Sequence, residues 1–274
     1  LERYISLKRG VRYNTITGYK FVMSVVKKEP FGQRIIRDIK MSDAKLWFIK
    51  LYDDGYSYST IASIRGVVKP AFQMAYTEDI IRRNPFEFRL DIIPNNTQKR
   101  VALSPKQQEQ FLEFTKNDKH FCRYLDEIKI LLGTGMRISE LCGLTISDLD
   151  FDRRRIRVDH QLVRTQDGKR YIEKTKTECG CRYIPMSDEV YESFYNILSN
   201  RKKQKKEVMI DGYAGFILLD KNGNPKVAMH VQKVVQRLCE KYNEENIIPL
   251  PRITPHICRH TYCTNQAKAG MSPK

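Results

Sequence analysis

The stretch LDIIPNNTQKR, residues 90–100, divides this chain into two halves that cannot share one continuous helical pattern. Its proline lacks a backbone donor and pushes the preceding residue towards extended geometry. Its asparagines favour turns, and Lys99 and Arg100 close it with charge. Each half must therefore bury a core of its own, and 274 residues suffice for two such cores. The expected organisation is a helical domain over 1–93, a linker over 94–103 and a second domain over 104–274.

The first half reads as helix throughout. Residues 1–12, with Lys8, Arg9 and Arg12, are expected to form an extended basic lead-in. NTITGYKFVMSVVKK offers Asn14 or Thr15 as a helix cap and places Tyr19, Val22 and Val26 on one side. SDAKLWFIKLYDDG runs from a Ser42 cap to Gly55 with two apolar rows, Leu46 with Ile49 and Trp47 with Leu51. STIASIRGVVKPAFQMAY lines up Ile61, Ile64, Val68, Ala71, Phe72 and Ala75, with a kink expected at Pro70. Arg65 and Lys69 lie off that stripe, one turn apart, and NPFEF at 84–88 ends the block.

The second half is mixed. SPKQQEQFLEFTK opens a helix with Ser104 before Pro105, and residues 120–132 continue as helix, becoming wholly apolar and hence buried. From 151 the pattern changes to short β-branched and aromatic runs, RRRIRVDHQLV, RYIEKTKT and CRYIPM, joined by TQDGK and ECG. Asp-Gly between such runs is a strong hairpin signal. Helices return at 187–205 and 227–243. The fold class is mainly α with a small antiparallel sheet, an α+β chain.

Charge narrows the partner. Forty-nine Lys and Arg face 32 Asp and Glu, a formal charge of +17, which favours a polyanion and places nucleic acid ahead of a membrane surface. No apolar run approaches the ~20 residues of a membrane span, and no signal peptide opens the chain. Seven scattered cysteines read as reduced thiols of a cytoplasmic protein rather than a disulfide framework. CGC at 179–181 spaces its thiols too closely for a structural zinc site. The calcium-loop-like Asp148, Asp150 and Asp152 are followed by Arg153 where glycine is required. No metal and no other cofactor is expected. RKKQKK at 201–206 reads as a solvated helix end.

Three separated stretches carry the chemistry. LLGTGMRISEL breaks a buried helix at Gly133 and Gly135 and fixes Arg137 at the edge of a core. EKTKTECGCRYIP puts Lys176 near the tip of a β-hairpin, with Lys174 two residues earlier on the same sheet face. TPHICRHTYCTNQAKAG caps a helix with Thr254 and Pro255 and sets His256, Arg259 and His260 on one face without acidic partners nearby. Alone, each has a dull reading: a surface arginine, a solvated lysine, a core histidine. Together they supply what attack on a phosphodiester needs without metal. Two guanidiniums clamp the non-bridging oxygens, a lysine protonates the leaving 5′ oxygen, and a histidine donates to the phosphate or takes the nucleophile's proton.

These motifs resemble the tyrosine recombinases, or phage-type integrases, most closely those of conjugative transposons. GTGMRISEL is similar to the family's first arginine box, HICRH to its HxxR box, and KTKT before RYIPM to its hairpin lysine. The resemblance implies Arg137, Lys176, His256 and Arg259 as catalytic residues, with Lys174 the competing lysine. It also implies a helical core-binding domain and a catalytic domain that close as a clamp on double-stranded DNA. Arg65, Lys69, Lys99, Arg100 and Lys174 are the candidate DNA contacts. The implied reaction joins mobile-element ends to a target site through a 3′-phosphotyrosyl intermediate. Four protomers would act on two DNA sites, with DNA-bending accessory proteins as further partners, in a bacterial cytoplasm at the nucleoid.

One departure stands out. Family members carry a nucleophilic tyrosine well downstream of HxxR, after a Gly-His pair, whereas fifteen residues follow Arg259 here. Tyr262 among them lies within the HxxR helix and reads as packing. The expectation is a chain truncated at its C-terminus, and at an N-terminus that starts without methionine, so that it binds DNA without cleaving it. Two rival readings are a type IB topoisomerase and a non-catalytic DNA-binding regulator on the same scaffold.

Overall fold

The computed structural model describes residues 1–97, 100–175, 180–201 and 207–271. Leu1–Lys99 and Arg100–Lys274 form two compact units, and the expected linker straddles the boundary between them.

The first unit contains α1 (Glu2–Ser6), α2 (Tyr13–Lys28), α3 (Met41–Asp53) and α4 (Tyr58–Thr77). The lead-in is therefore helical at its start rather than extended. Leu1 packs on the core and Glu2 pairs with Lys27, which ties the segment down. Neither Asn14 nor Thr15 caps α2, which follows Arg12 directly. Ser42 likewise sits inside the first turn of α3, because the Asp43 carboxylate takes the Lys40 N–H at 2.8 Å. Ser57 caps α4 through the Thr60 N–H, and the helix continues through Pro70 to Thr77. Ile61, Ile64, Val68, Ala71 and Ala75 are buried as the α4 stripe requires. On α3 only the Trp47–Leu51 row is core; Leu46 and Ile49 face solvent. Phe86 joins this core, surrounded by Phe31, Trp47, Phe48, Phe72 and Phe88.

The second unit runs α5 (Pro105–Asn117), α6 (Leu125–Thr134), α7 (Ile138–Gly143), β1 (Leu149–Asp150), β2 (Arg155–Val158), β3 (His160–Arg164), β4 (Arg170–Lys174), β5 (Arg182–Pro185), α8 (Asp188–Ser199), α9 (Ala228–Glu245) and α10 (Pro255–Lys268). Ser104 caps α5 and Gln107 returns a bond to the Ser104 N–H, a reciprocal pair that fixes the helix start. Apolar α6 runs through the core with Ile128, Ile130, Leu131 and Leu132 buried, and it packs against α5, α8 and α10.

The strands form two small sheets rather than the single one expected. β1, β2 and β5 make one antiparallel sheet, and β3 with β4 makes a separate hairpin. The run RRRIRVDHQLV breaks at Asp159, which turns its carboxylate to His160 Nδ1 and its carbonyl to the Thr175 N–H. Asp167-Gly168 closes the β3–β4 turn, with Gly168 at φ +90°. β4 and β5 therefore belong to different sheets, and Lys176, expected near a hairpin tip between them, lies outside the described residues.

One ion pair makes a stability prediction. Asp118 is buried at the end of α5 and accepts from the His120 and Phe121 N–H groups, both at 2.7 Å, as well as from Lys241. The Lys241 bond, opposed by burial and helped by those amides, holds the carboxyl at about 2 instead of 3.8. A folded pKa below the unfolded one means stability that is present above the unfolded value and lost as pH falls towards the folded one. Asp118→Asn is expected to lose about 1–2 kcal/mol at neutral pH, allowing for screening at exposed Lys241. In urea unfolding the gap from wild type should narrow between pH 3.8 and about 2.

Among the described residues no helix is long and apolar enough to cross a membrane.

Candidate anion-binding site

Helix α6 ends at Gly135, whose left-handed φ of +59° lets the chain turn within one residue. Met136 is fully buried beyond it, and Arg137 flanks the first turn of α7. A buried core residue on one side and a helix start on the other leave the Arg137 backbone little freedom. Its N–H and its Nη1 both donate to Glu140, at 2.9 and 2.8 Å, while its side chain stays 53% exposed.

Thr254 caps α10 through the Ile257 N–H at 3.2 Å, and Pro255 occupies the first position. Buried Ile257, Cys258 and Thr261 press one face of α10 into the core, and Thr261 also holds the Leu103 N–H at 2.9 Å. The opposite face turns outward with His256 and His260 exposed and Arg259 half-buried. Arg259 Nη1 donates to the Gly135 carbonyl, two residues before Arg137. The structure thus brings the second arginine to the turn that presents the first. Tyr262 lies on the same turn, so close that a Cβ on Gly135 would stand 2.3 Å from its ring. Its role is packing against Gly135.

The electrostatics follow from this convergence. Burial lowers the His256 pKa, and the fields of Arg100, His260, Arg259 and Arg137 lower it further. Arg100, Arg137 and Arg259 lie near the first turn of α10, where the helix dipole adds positive potential. Burial and neighbouring positive groups both favour the neutral form of this imidazole.

Other sequence candidates fall elsewhere. Lys176 and Lys99 lie outside the described residues. Lys174 is exposed at the end of β4, opposite His160 in the register. Arg65 and Lys69 are tied to the segment after α4. The Arg65 guanidinium donates to the Phe86 and Phe88 carbonyls, and Lys69 pairs with Glu87 at 2.8 Å. These two side chains have a structural task that helical spacing did not reveal.

The sequence reading missed Glu140 and Arg182. Glu140 is 3% exposed and takes Arg182 Nη2 at 2.7 Å as well as its two bonds from Arg137. Burial opposes its charge, but the bonds from Arg182 and Arg137 prevail and leave its pKa below the usual carboxylate value. The signal available was the spacing of Glu140 three residues after Arg137, a capping-box interval. Asp148, Asp159 and His160 also cluster closely enough to hold a metal. Two of the three bond each other, and neighbouring groups hold the rest of their atoms. Asp148 takes Thr145 and Arg157, while His160 faces Asp159 and the Gly143 carbonyl.

Residues 102–274 match the phage integrase family. The transposase from transposon Tn916 of Enterococcus faecalis is 46% identical over 265 residues, covering 96% of this chain and 65% of that protein. The chain therefore spans somewhat less than two thirds of that relative's length. Among solved structures, the Tn1549 transposon integrase in complex with a circular intermediate DNA is 43% identical. It covers 99% of this chain and 86% of that one, with a TM-score of 0.95. A lambda integrase tetramer bound to a Holliday junction, 17% identical, covers 97% of this chain and 71% of that one with a TM-score of 0.68, a likeness of fold.

Proposed function

Because this chain belongs to the phage integrase family, we propose that it is the DNA-binding and catalytic part of a site-specific recombinase of a conjugative transposon. The observation that carries the proposal is Arg259 seated on the Gly135 carbonyl, beside the turn that displays Arg137, with His256 among the same cations. Its substrate is double-stranded DNA at the ends of the mobile element and at a target site, in the bacterial cytoplasm. Four protomers on two DNA sites are the proposed assembly. The comparisons lend no support to a type IB topoisomerase or a non-catalytic regulator.

Each group then has a task. Arg137 and Arg259 grip the non-bridging oxygens of the scissile phosphate, where negative charge grows as the five-coordinate transition state forms. Neutral His256 donates a hydrogen bond to the phosphate or accepts the nucleophile's proton. A lysine, Lys176 or Lys174, gives its proton to the departing 5′ oxygen. A tyrosine takes the phosphoryl group as a 3′-phosphotyrosyl ester, which conserves the bond for religation. Arg100 adds to the positive field at the phosphate, and Lys99 is a backbone contact in the same stretch.

Tyr262 does not serve as that tyrosine. Its ring is engaged with Gly135, and burial raises its pKa, so its phenol is harder to ionise. On a suicide substrate nicked beside the cleavage site, this 274-residue chain is expected to bind without forming a covalent adduct. Gel-shift and denaturing-gel assays check both halves. Absence of salt-dependent duplex binding would sink the proposed function, and an adduct mapped to Tyr262 would sink its assignment to packing.

A further inference from the structure

We propose that Arg182 is a positioning residue: by sharing Glu140 with Arg137 it keeps the Arg137 guanidinium electrically available to phosphate. This inference rests on the DNA-phosphate reading of the site.

Charge comes first. Arg137 and Glu140 alone would form a neutral ion pair, and a neutral pair has little pull on a phosphate. The Glu140 carboxylate, however, is nearly wholly buried and does not belong to Arg137 alone. Arg182 approaches its two oxygens end-on, Nη2 to Oε2 at 2.7 Å and Nη1 to Oε1 at 3.3 Å. Arg137 reaches the same oxygens with its backbone N–H and its Nη1. Two guanidiniums and one carboxylate leave a net charge of one on the cluster. Arg182 is the more enclosed of the two cations and Arg137 the more exposed, so the surplus is presented at Arg137. Glu140 thereby orients Arg137 without cancelling it.

Geometry adds a second role. Arg182 opens β5, and its Nη1 also donates to the Gly180 carbonyl at 3.2 Å. Gly180 lies against Thr175, where a Cβ would come within 2.5 Å of the threonine Cβ, and Thr175 Oγ1 meets Cys181 Sγ at 3.2 Å. These contacts draw together the two stems that flank residues 176–179. The other stem is tied back to α7 as well. Ser139 Oγ donates to Gln161 Oε1 at 2.8 Å, and Gln161 Nε2 donates to Glu173 Oε2 at 2.6 Å. Consecutive residues of α7, Ser139 and Glu140, thus tie the described residues before 176 and after 179 to the helix that begins at Arg137.

The test is the salt dependence of binding to a short duplex oligonucleotide, measured on the full chain by fluorescence anisotropy. The slope of log affinity against log salt counts phosphate contacts at about 0.9 per contact. Arg182→Met should make the slope shallower by about that amount, because Glu140 then neutralises Arg137. The double variant Glu140→Gln with Arg182→Met should recover the wild-type slope, since the cancelling charge is gone too. Arg182→Lys, which keeps the countercharge without the fork, should retain it. An unchanged slope in Arg182→Met overturns the proposal. So does failure of the double variant to recover, which would mean that Arg182 itself touches phosphate or only supports the fold. Wild-type protein that shows no salt-dependent binding would be a failure of the DNA reading instead, before any variant is compared.

Discussion

Replacing Arg259 by alanine is expected to lower strand cleavage about 10²–10³-fold in cleavage-competent protein, on the order of 3–4 kcal/mol of transition-state stabilisation. The guanidinium is fixed before DNA arrives, held by the Gly135 carbonyl on a helix whose opposite face is buried. A donor that needs no reorganisation stabilises developing charge far more than a mobile one. Arg259→Lys retains the charge but not the planar fork, so it should preserve much of the DNA affinity and little of the cleavage. His256 provides an independent readout. Its pKa is held down by burial first and then by Arg100, His260, Arg259 and Arg137. Loss of Arg259 removes one of those fields, and the His256 titration followed by NMR should move upward. Cleavage that survives Arg259→Ala at the wild-type rate would place the phosphate elsewhere.

The second large effect is expected at Gly135. Alanine there must adopt φ +59°, and its Cβ would lie 2.3 Å from Tyr262 Cδ1 and 2.8 Å from Cγ. The left-handed backbone costs about 1 kcal/mol for a residue with a Cβ, and displacing the ring from the α6–α10 contact raises the total to about 3 kcal/mol. For a protein of this size that is a fall in melting temperature of about 6–10 °C. The two contributions separate in a double-mutant cycle. In a Tyr262→Ala background, Gly135→Ala should cost only about 1 kcal/mol, the backbone part. Equal cost in both backgrounds would show that the ring contact contributes nothing. Function should suffer as well, because the Gly135 carbonyl is the rest for Arg259.

Much of this site was legible from local pattern. Thr254-Pro255 is a favoured helix start, and residues spaced three and four apart on a helix share a face. The shared face of His256, Arg259 and His260 therefore needed no tertiary information. Ser104-Pro105, the α4 stripe and the Asp167-Gly168 turn were readable for the same reason: each is settled within a few residues of chain. The weaker expectations also had local causes. Ser42, Asn14 and Thr15 are acceptable caps, but Lys40, held by the Asp43 carboxylate, and Arg12 took those places by a margin that composition does not disclose.

What the sequence alone determined, then, is the chemistry of short segments: which residues turn, which stripe is apolar, and which cations stand one helical turn apart. What only the tertiary structure decided is how distant groups share partners. Arg259 meets the carbonyl of Gly135, Glu140 is divided between Arg137 and Arg182, the β-rich run splits between two sheets, and Arg65 serves the Phe86 and Phe88 carbonyls. The physical reason is that a hydrogen bond between remote residues depends on how buried faces dock. An arginine carries the same five donors whether it will hold a carboxylate, a carbonyl or a phosphate.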